Sequence, residues 1–356
     1  MLIYILFFFS LFFWNKCISE KRKYVIVISV ELFLLLALRS PLLGADQVTY
    51  SGGYDYISRL SFQEMVSSLR LVRAAKLTKY FVFESGYVVA NWLLSRLDFD
   101  FQGFLILYAA FVAVSFGRFI DKYSQNPWLS FSLFAAMGWF EYSFGILRQT
   151  IATCILLYAV DFMLQKRKLP VILLILTAAL FHRASLVFAA VAAAAWLPLN
   201  KKGFAAMSLG SVAFLAISPL IYQYVIVPLL VFMGKNSYLE VTFSFNHFAV
   251  LMMVIAAALY VTVDFDSLSR MDRLSIYGFF VALLLEIVGM CNAVFARLVY
   301  IPFVFILPLI PNTIEKYPNQ KIKNAAKPLL YIALFAFYIY QLHDAQITPY
   351  IPFWMA

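Results

Sequence analysis

The chain has 356 residues, of which 64% are hydrophobic, 18% aromatic and only 13% charged. A soluble domain carries about 25% charged residues, so 18 acids and 28 bases cannot coat a water-facing surface, and the mean hydropathy of +0.85 agrees. These values exclude a soluble enzyme, a nucleic-acid-binding domain and a disordered chain. Continuous rather than alternating apolar stretches argue against a β-barrel.

At about 20 apolar residues per spanning helix, the length accommodates roughly a dozen spans. The expected fold is therefore all-α: a polytopic membrane helical bundle of about 12 spans, forming one integral-membrane domain over 1–356. Apolar runs fall near 2–15, 24–38, 101–117, 127–146, 147–164, 169–182, 185–198, 204–233, 247–263, 274–290, 293–311 and 328–342. The first run lacks a basic leader and a small-residue cleavage site, so it reads as a retained span rather than a removed signal peptide. Cys17, Cys154 and Cys291 form no CxxC pair and no Cys/His ligand spacing, which supports neither a disulfide framework nor a metal site.

The net charge of +10 reflects basic loops held in the cytoplasm rather than a nucleic-acid partner. Lys16 with Lys21–Lys23, Lys166–Lys168, Lys201–Lys202, Arg270 with Arg273, and Lys316 through Lys327 are expected on that side, which places both termini outside. The region 39–102 is expected to be an external loop region. In it, Leu60, Phe62, Met65, Val66, Leu69 and Val72 recur on one helical face, opposite Arg70, Arg73 and Lys76. That is the pattern of an interfacial amphipathic helix. The apolar stretch Phe83–Leu97 must then be re-entrant or lie on the surface, because a full crossing there would invert every later loop.

Ionisable groups near spans point to function. Arg148 lies 18 residues before Lys166, and Arg297 lies 18 before Glu315. At 1.5 Å per residue both sit about 27 Å from the cytoplasmic loops. Arg39 is about 24 Å from Lys23 by the same measure, and His182-Arg183 sits at a hairpin turn facing the same way. Bases gathered where the positive-inside rule disfavours them suggest an anion-binding site, since guanidinium forks match phosphate oxygens. Asp98-x-Asp100 and Asp264-x-Asp266 fit a metal-carboxylate pattern but read as caps and loop residues. Glu31, Glu141 and Glu286 read as structural partners for nearby arginines. The tryptophans suit an interfacial belt. No Walker A, GxGxxG or GxSxG motif occurs.

Five segments in this order carry a family resemblance: Leu38-Arg39 with Gly44-x-Asp46-x-x-x-Tyr50; Glu84-Ser85-Gly86-Tyr87; Phe144 to Ala152 with Arg148-Gln149 at its centre; Ala179 to Leu186 with Phe181-His182-Arg183; and Phe295-Ala296-Arg297-Leu298-Val299-Tyr300. Together they resemble the Wzy-type polysaccharide polymerases of the EpsG family, over about residues 35–312. The resemblance implies a glycosyltransferase of the bacterial cytoplasmic (inner) membrane with its active site facing outside. Its donor and acceptor would be polyprenyl-diphosphate-linked oligosaccharides (undecaprenyl diphosphate in bacteria), polymerised into O-antigen, capsule or exopolysaccharide without a cofactor. A chain-length regulator and a flippase of the same pathway would be its partners. Arg39, Arg148 and Arg297 are the candidate diphosphate ligands, and Asp46, Glu84 and His182 the candidate catalytic groups. Tyr50, Gln149 and Arg183 are supporting candidates, although Arg183 has no matched family position. Ligase-type transfer of lipid-linked glycan and flipping or export of the same lipid are the alternative readings.

Overall fold

The computed structural model describes residues 1–69, 74–76, 81–232, 243–244, 246–292 and 295–355. The chain packs as two compact units, Met1–Leu186 with Asn319–Ala356, and Val187–Pro318. The first unit contains α1 (Leu2–Cys17), α2 (Lys21–Ala37), α3 (Gln47–Ser58), α4 (Phe62–Ser68), a short ribbon of β1 (Ala74–Lys76) and β2 (Val82–Glu84), α5 (Ser85–Arg96), α6 (Phe101–Tyr123), α7 (Pro127–Ala136), α8 (Trp139–Gly145), α9 (Leu147–Leu164) and α10 (Lys168–Phe181). The second contains α11 (Phe188–Ala194), α12 (Lys201–Ile221), a π-helical turn Tyr222–Ile226, α13 (Val227–Phe232), α14 (His247–Thr262), α15 (Arg270–Gly289), a 3₁₀ turn Phe295–Val299, α16 (Tyr300–Phe303) and α17 (Ile306–Lys316). The final helix, α18 (Gln320–Asp344), belongs to the first unit.

The all-α expectation holds apart from the antiparallel β1–β2 ribbon. Nearly every apolar run folds as helix, and the protein is a multi-pass membrane protein. Among the described residues, however, four helices are long and apolar enough to cross a membrane: Phe101–Tyr123, Leu147–Leu164, Lys201–Phe232 and Gln320–His343. The pair Phe295–Phe303 and Ile306–Lys316, bent by 46°, makes a fifth if counted as one span. Several runs are broken or short by this measure. The run 127–146 is split where Gly138 takes φ +96°, a left-handed conformation that ends α7 and that glycine adopts without a Cβ penalty.

The region 39–102 differs from expectation in two places. The amphipathic helix stops at Ser68, and Lys76 lies in β1 instead of on its polar face; Arg70, Val72 and Arg73 fall outside the described residues. Helix α4 is nonetheless well started, because Ser61 and Glu64 form a reciprocal capping box that satisfies two otherwise orphaned amides. The apolar stretch from Phe83 begins as strand β2 and becomes helical only at Ser85. At 12 residues, α5 is about 18 Å long, too short for a crossing.

Helices α9 and α10 form an antiparallel hairpin whose turn, Gln165–Arg167, includes Lys166 at φ +60°. Its open end carries Arg148 at the start of α9 and His182 just after α10. Three side chains of α6 close the other end onto α9: Arg118, Lys122 and Tyr123 all bond the carboxylate of Asp161. Asp100 caps α6 by accepting from the Gly103 amide at 2.7 Å, as its position predicts. Asp264 accepts from the Asp266 amide at 3.1 Å, a local turn contact. The expectation that Glu31 pairs with an arginine fails: it accepts from Ser10 and, at 2.6 Å, from the Trp14 indole. Glu286 likewise accepts from Asn246.

Candidate functional site

The site is assembled at the open end of the α9–α10 hairpin. Two glycines set its spacing. A Cβ on Gly86 would lie 2.8 Å from both Cβ and the carbonyl oxygen of Leu180, so only glycine lets the start of α5 press onto the end of α10. This close approach brings Glu84, at the end of β2, beside His182. Similarly, a Cβ on Gly53 would penetrate the Phe83 ring at 2.3 Å, so α3 lies flat on β2 and delivers Tyr50.

Glu84 is the hub. Its side chain is 10% exposed, and a carboxylate so buried requires charge partners and hydrogen bonds. Oε2 accepts from Arg148 Nη1. Oε1 accepts from the backbone amide of Arg183 at 3.3 Å and lies 3.8 Å from His182 Nδ1. Arg148 also donates through Nε to the Tyr50 hydroxyl at 3.4 Å and through Nη1 to the Val82 carbonyl at 3.5 Å. Its guanidinium lies over the rings of Phe83 and Tyr50, 5.2 and 5.7 Å from their centroids. The cation is thus held by one carboxylate, two aromatic faces and two neutral acceptors, yet it remains partly open.

His182 is mostly buried, and its Nδ1 has no hydrogen-bond partner among the described residues. Burial pushes its pKa down to about 4, with Glu84 opposing and the Arg148 and Arg183 charges reinforcing the shift. The imidazole is therefore neutral at physiological pH with an unused nitrogen, a state that can accept a proton. The Arg183 guanidinium is half-buried and makes no hydrogen bond or ion pair among the described residues. It is a free cation one residue from that imidazole. The site thus combines a paired guanidinium, an unpaired one, a carboxylate and a neutral base, a set suited to binding a multiply charged anion and moving one proton nearby.

The remaining candidates lie elsewhere. Asp46 occupies the N-cap position of α3 without a capping bond from its side chain, one turn from Tyr50, and its backbone carbonyl accepts from the Tyr50 amide at 3.0 Å. Gln149 is buried, 4% exposed. Arg297 belongs to the second unit, in the 3₁₀ turn Phe295–Val299 that packs on α15, where Gly289 lies close to the Ala296 backbone. Arg39 is fully buried. It donates through Nη1 to the Ser143 carbonyl at 2.9 Å and lies over the rings of Phe144 and Tyr108. Protein encloses it, and its hydrogen bond runs to the backbone of α8. Among the described residues, no group of three or more His, Cys, Asp or Glu is arranged to hold a metal ion.

A family model, that of the EpsG family, matches residues 22–354, nearly the entire chain. The chain belongs to the EpsG family. No curated protein and no solved structure matches it. Membership associates the chain with membrane-bound polysaccharide biosynthesis of the polymerase type. Of the motifs that carried the resemblance, Tyr50, Glu84-Ser85-Gly86 and Arg148 meet in one cluster with His182. The Glu84–Arg148 pair itself has no sequence signal, because 64 residues separate its members. The glycines at 53 and 86 do signal close approaches there.

Proposed function

We propose that this EpsG-family protein is a polysaccharide polymerase. It would transfer a growing glycan from polyprenyl diphosphate onto the non-reducing end of another lipid-linked repeat unit. The observation that supports this most is the single cluster of Arg148, Glu84, His182 and Arg183. In the proposed step the anomeric C–O bond to diphosphate breaks and the electron pair leaves with the polyprenyl diphosphate. An acceptor hydroxyl forms the new glycosidic bond and gives its proton to the His182 imidazole. Arg183, unpaired among the described residues, and Arg148, which shares Glu84, would bind the diphosphate and stabilise the charge that develops on it. Fixed cations at a developing charge are commonly worth 10²–10³ in rate, or about 3–4 kcal/mol. The leaving diphosphate supplies the driving force.

The hairpin supports an orientation as well. Its closed end carries Lys166, Arg167 and Lys168, which the positive-inside rule assigns to the cytoplasm. Arg148 is then about 27 Å and His182 about 21 Å away, at the external face. Asp46 is the alternative base. A chain-length regulator and a flippase would be pathway partners.

The test uses cells carrying His182→Ala or Arg183→Ala. Repeat units should still reach the surface and be attached singly to the final acceptor, with long chains lost. Repeat units stranded inside, with nothing displayed, would instead identify a transport defect and overturn the polymerase reading.

A further inference from the structure

A seven-residue helix, α8, leads into the site, and its end is held in an unusual way. The last four carbonyls of a helix have no partner within it. Here α8 stops at Gly145, Ile146 leaves the helical region at φ −108°, ψ 66°, and α9 begins at once with Leu147-Arg148. The direction in which Arg148 points is therefore set by how the end of α8 is fixed.

Side chains from three other elements fix it. The Ser143 carbonyl accepts from Arg39 Nη1 at 2.9 Å and from the Tyr108 hydroxyl at 2.8 Å. The Phe144 carbonyl accepts from Gln47 Nε2. Arg39, Gln47 and Tyr108 are all buried. The backbone at Gly44 sits directly on this junction: a Cβ there would lie 2.5 Å from the Phe144 oxygen, and its φ of +127° favours glycine independently. Gln47 and Tyr50 are neighbours on one face of α3, so the same helix that holds the α8 end also touches Arg148. Arg39 is itself held by the C-terminal segment, where the Ser40 amide donates to the Ile351 carbonyl at 2.7 Å and the Phe353 amide to the Leu38 carbonyl at 2.9 Å.

We infer that Arg39, Gln47 and Tyr108 are positioning residues that pin the carbonyls at the end of α8 and thereby aim Arg148 at the anionic substrate. Arg39 thus acts through Arg148 instead of touching the diphosphate. The inference rests on the polymerase reading for its kinetic consequence, but the pinning itself can be measured without any activity.

The variants are Tyr108→Phe, Arg39→Met and Gln47→Ala, with Tyr331→Phe as a control. Tyr331 makes the same kind of bond, hydroxyl to the Phe8 carbonyl at 2.8 Å, away from this junction. In purified full-length protein, amide exchange over residues 142–150 should rise about fivefold for Tyr108→Phe, the effect of losing one hydrogen bond, and should not change for Tyr331→Phe. With polyprenyl-diphosphate-linked oligosaccharide as substrate, kcat should fall about tenfold for Tyr108→Phe and more for Arg39→Met, with KM within about threefold of wild type. Unchanged exchange overturns the inference whether or not the wild type polymerises. Raised exchange with unchanged kcat also overturns it, as does a rise in KM for Arg39→Met that matches its loss of kcat/KM. Raised exchange in a protein whose wild type makes no polymer would instead defeat the polymerase reading and leave the pinning established.

Discussion

Gly86→Ala gives the sharpest test of the site's geometry, because the perturbation is a single methyl group. Its Cβ would meet Leu180 Cβ and the Leu180 carbonyl oxygen at 2.8 Å, whereas ordinary contact lies at 3.4–4 Å. The start of α5 must therefore retreat from α10 by about 0.6–1.2 Å, and a misplacement of about 1 Å can cost 10²-fold in rate. Overpacking costs about 1–3 kcal/mol, partly offset by up to about 1 kcal/mol from the better helix propensity of alanine, so the protein should still accumulate. Glu84 sits two residues earlier and would carry its Oε1 away from the Arg183 amide, loosening the hold on Arg148. We expect the rate of polymer formation, measured on purified protein normalised for amount, to fall about 10- to 100-fold. Gly210→Ala is the control, since nothing lies within 4 Å of a Cβ there, and it should match wild type. A Gly86→Ala protein that polymerises at the wild-type rate would show that the α5–α10 contact does not set the site.

Other outcomes follow from the same contacts. Glu84→Gln removes the only carboxylate bonded to Arg148 among the described residues and should lower both activity and thermal stability. Breaking a buried pair typically costs about 3–5 kcal/mol, and an unchanged melting temperature would refute the pairing. Arg183→Ala should raise KM for the lipid-linked donor, and Arg183→Lys should restore it only in part, because an ammonium cannot fork onto two oxygens; full recovery with lysine would reduce its role to charge alone. The pH profile tests His182. With its pKa down at about 4, the imidazole should stay neutral and active well below the ordinary value of about 6.5, so activity should decline only as pH approaches 4. The unfolded chain takes up that proton from about 6.5 downward, so the stability contributed by the buried neutral ring is present above pH 6.5 and lost as pH falls toward 4. An acid limb at 6.5 that vanishes in His182→Gln would contradict the burial.

Much of this architecture was legible because one-dimensional signals suffice for it. The apolar run 147–164 and helix α9 share both boundaries, since charge and hydropathy change abruptly at each end. Helical rise likewise put Arg148 and His182 at the end of the hairpin opposite Lys166–Lys168. Rise gives height along a helix and nothing about which way a side chain turns, so the contact of Arg39 with the Ser143 carbonyl of α8 has no sequence signal. Pairing across long sequence separations was equally hidden: Glu31 finds Ser10 and Trp14, and Glu84 finds Arg148. The dozen expected spans rested on composition, which does not register breaks such as Gly138 or the 46° bend near Phe303.

The transfer proposed for one end of this hairpin would join lipid-linked glycans using the energy of the diphosphate bond. Purified protein in liposomes, given polyprenyl-diphosphate-linked oligosaccharide and no nucleotide, should make a ladder that rises by whole repeat units. Arg148→Ala should abolish that ladder. Protein that forms no ladder but moves the same lipid between leaflets would be a transporter and not a polymerase.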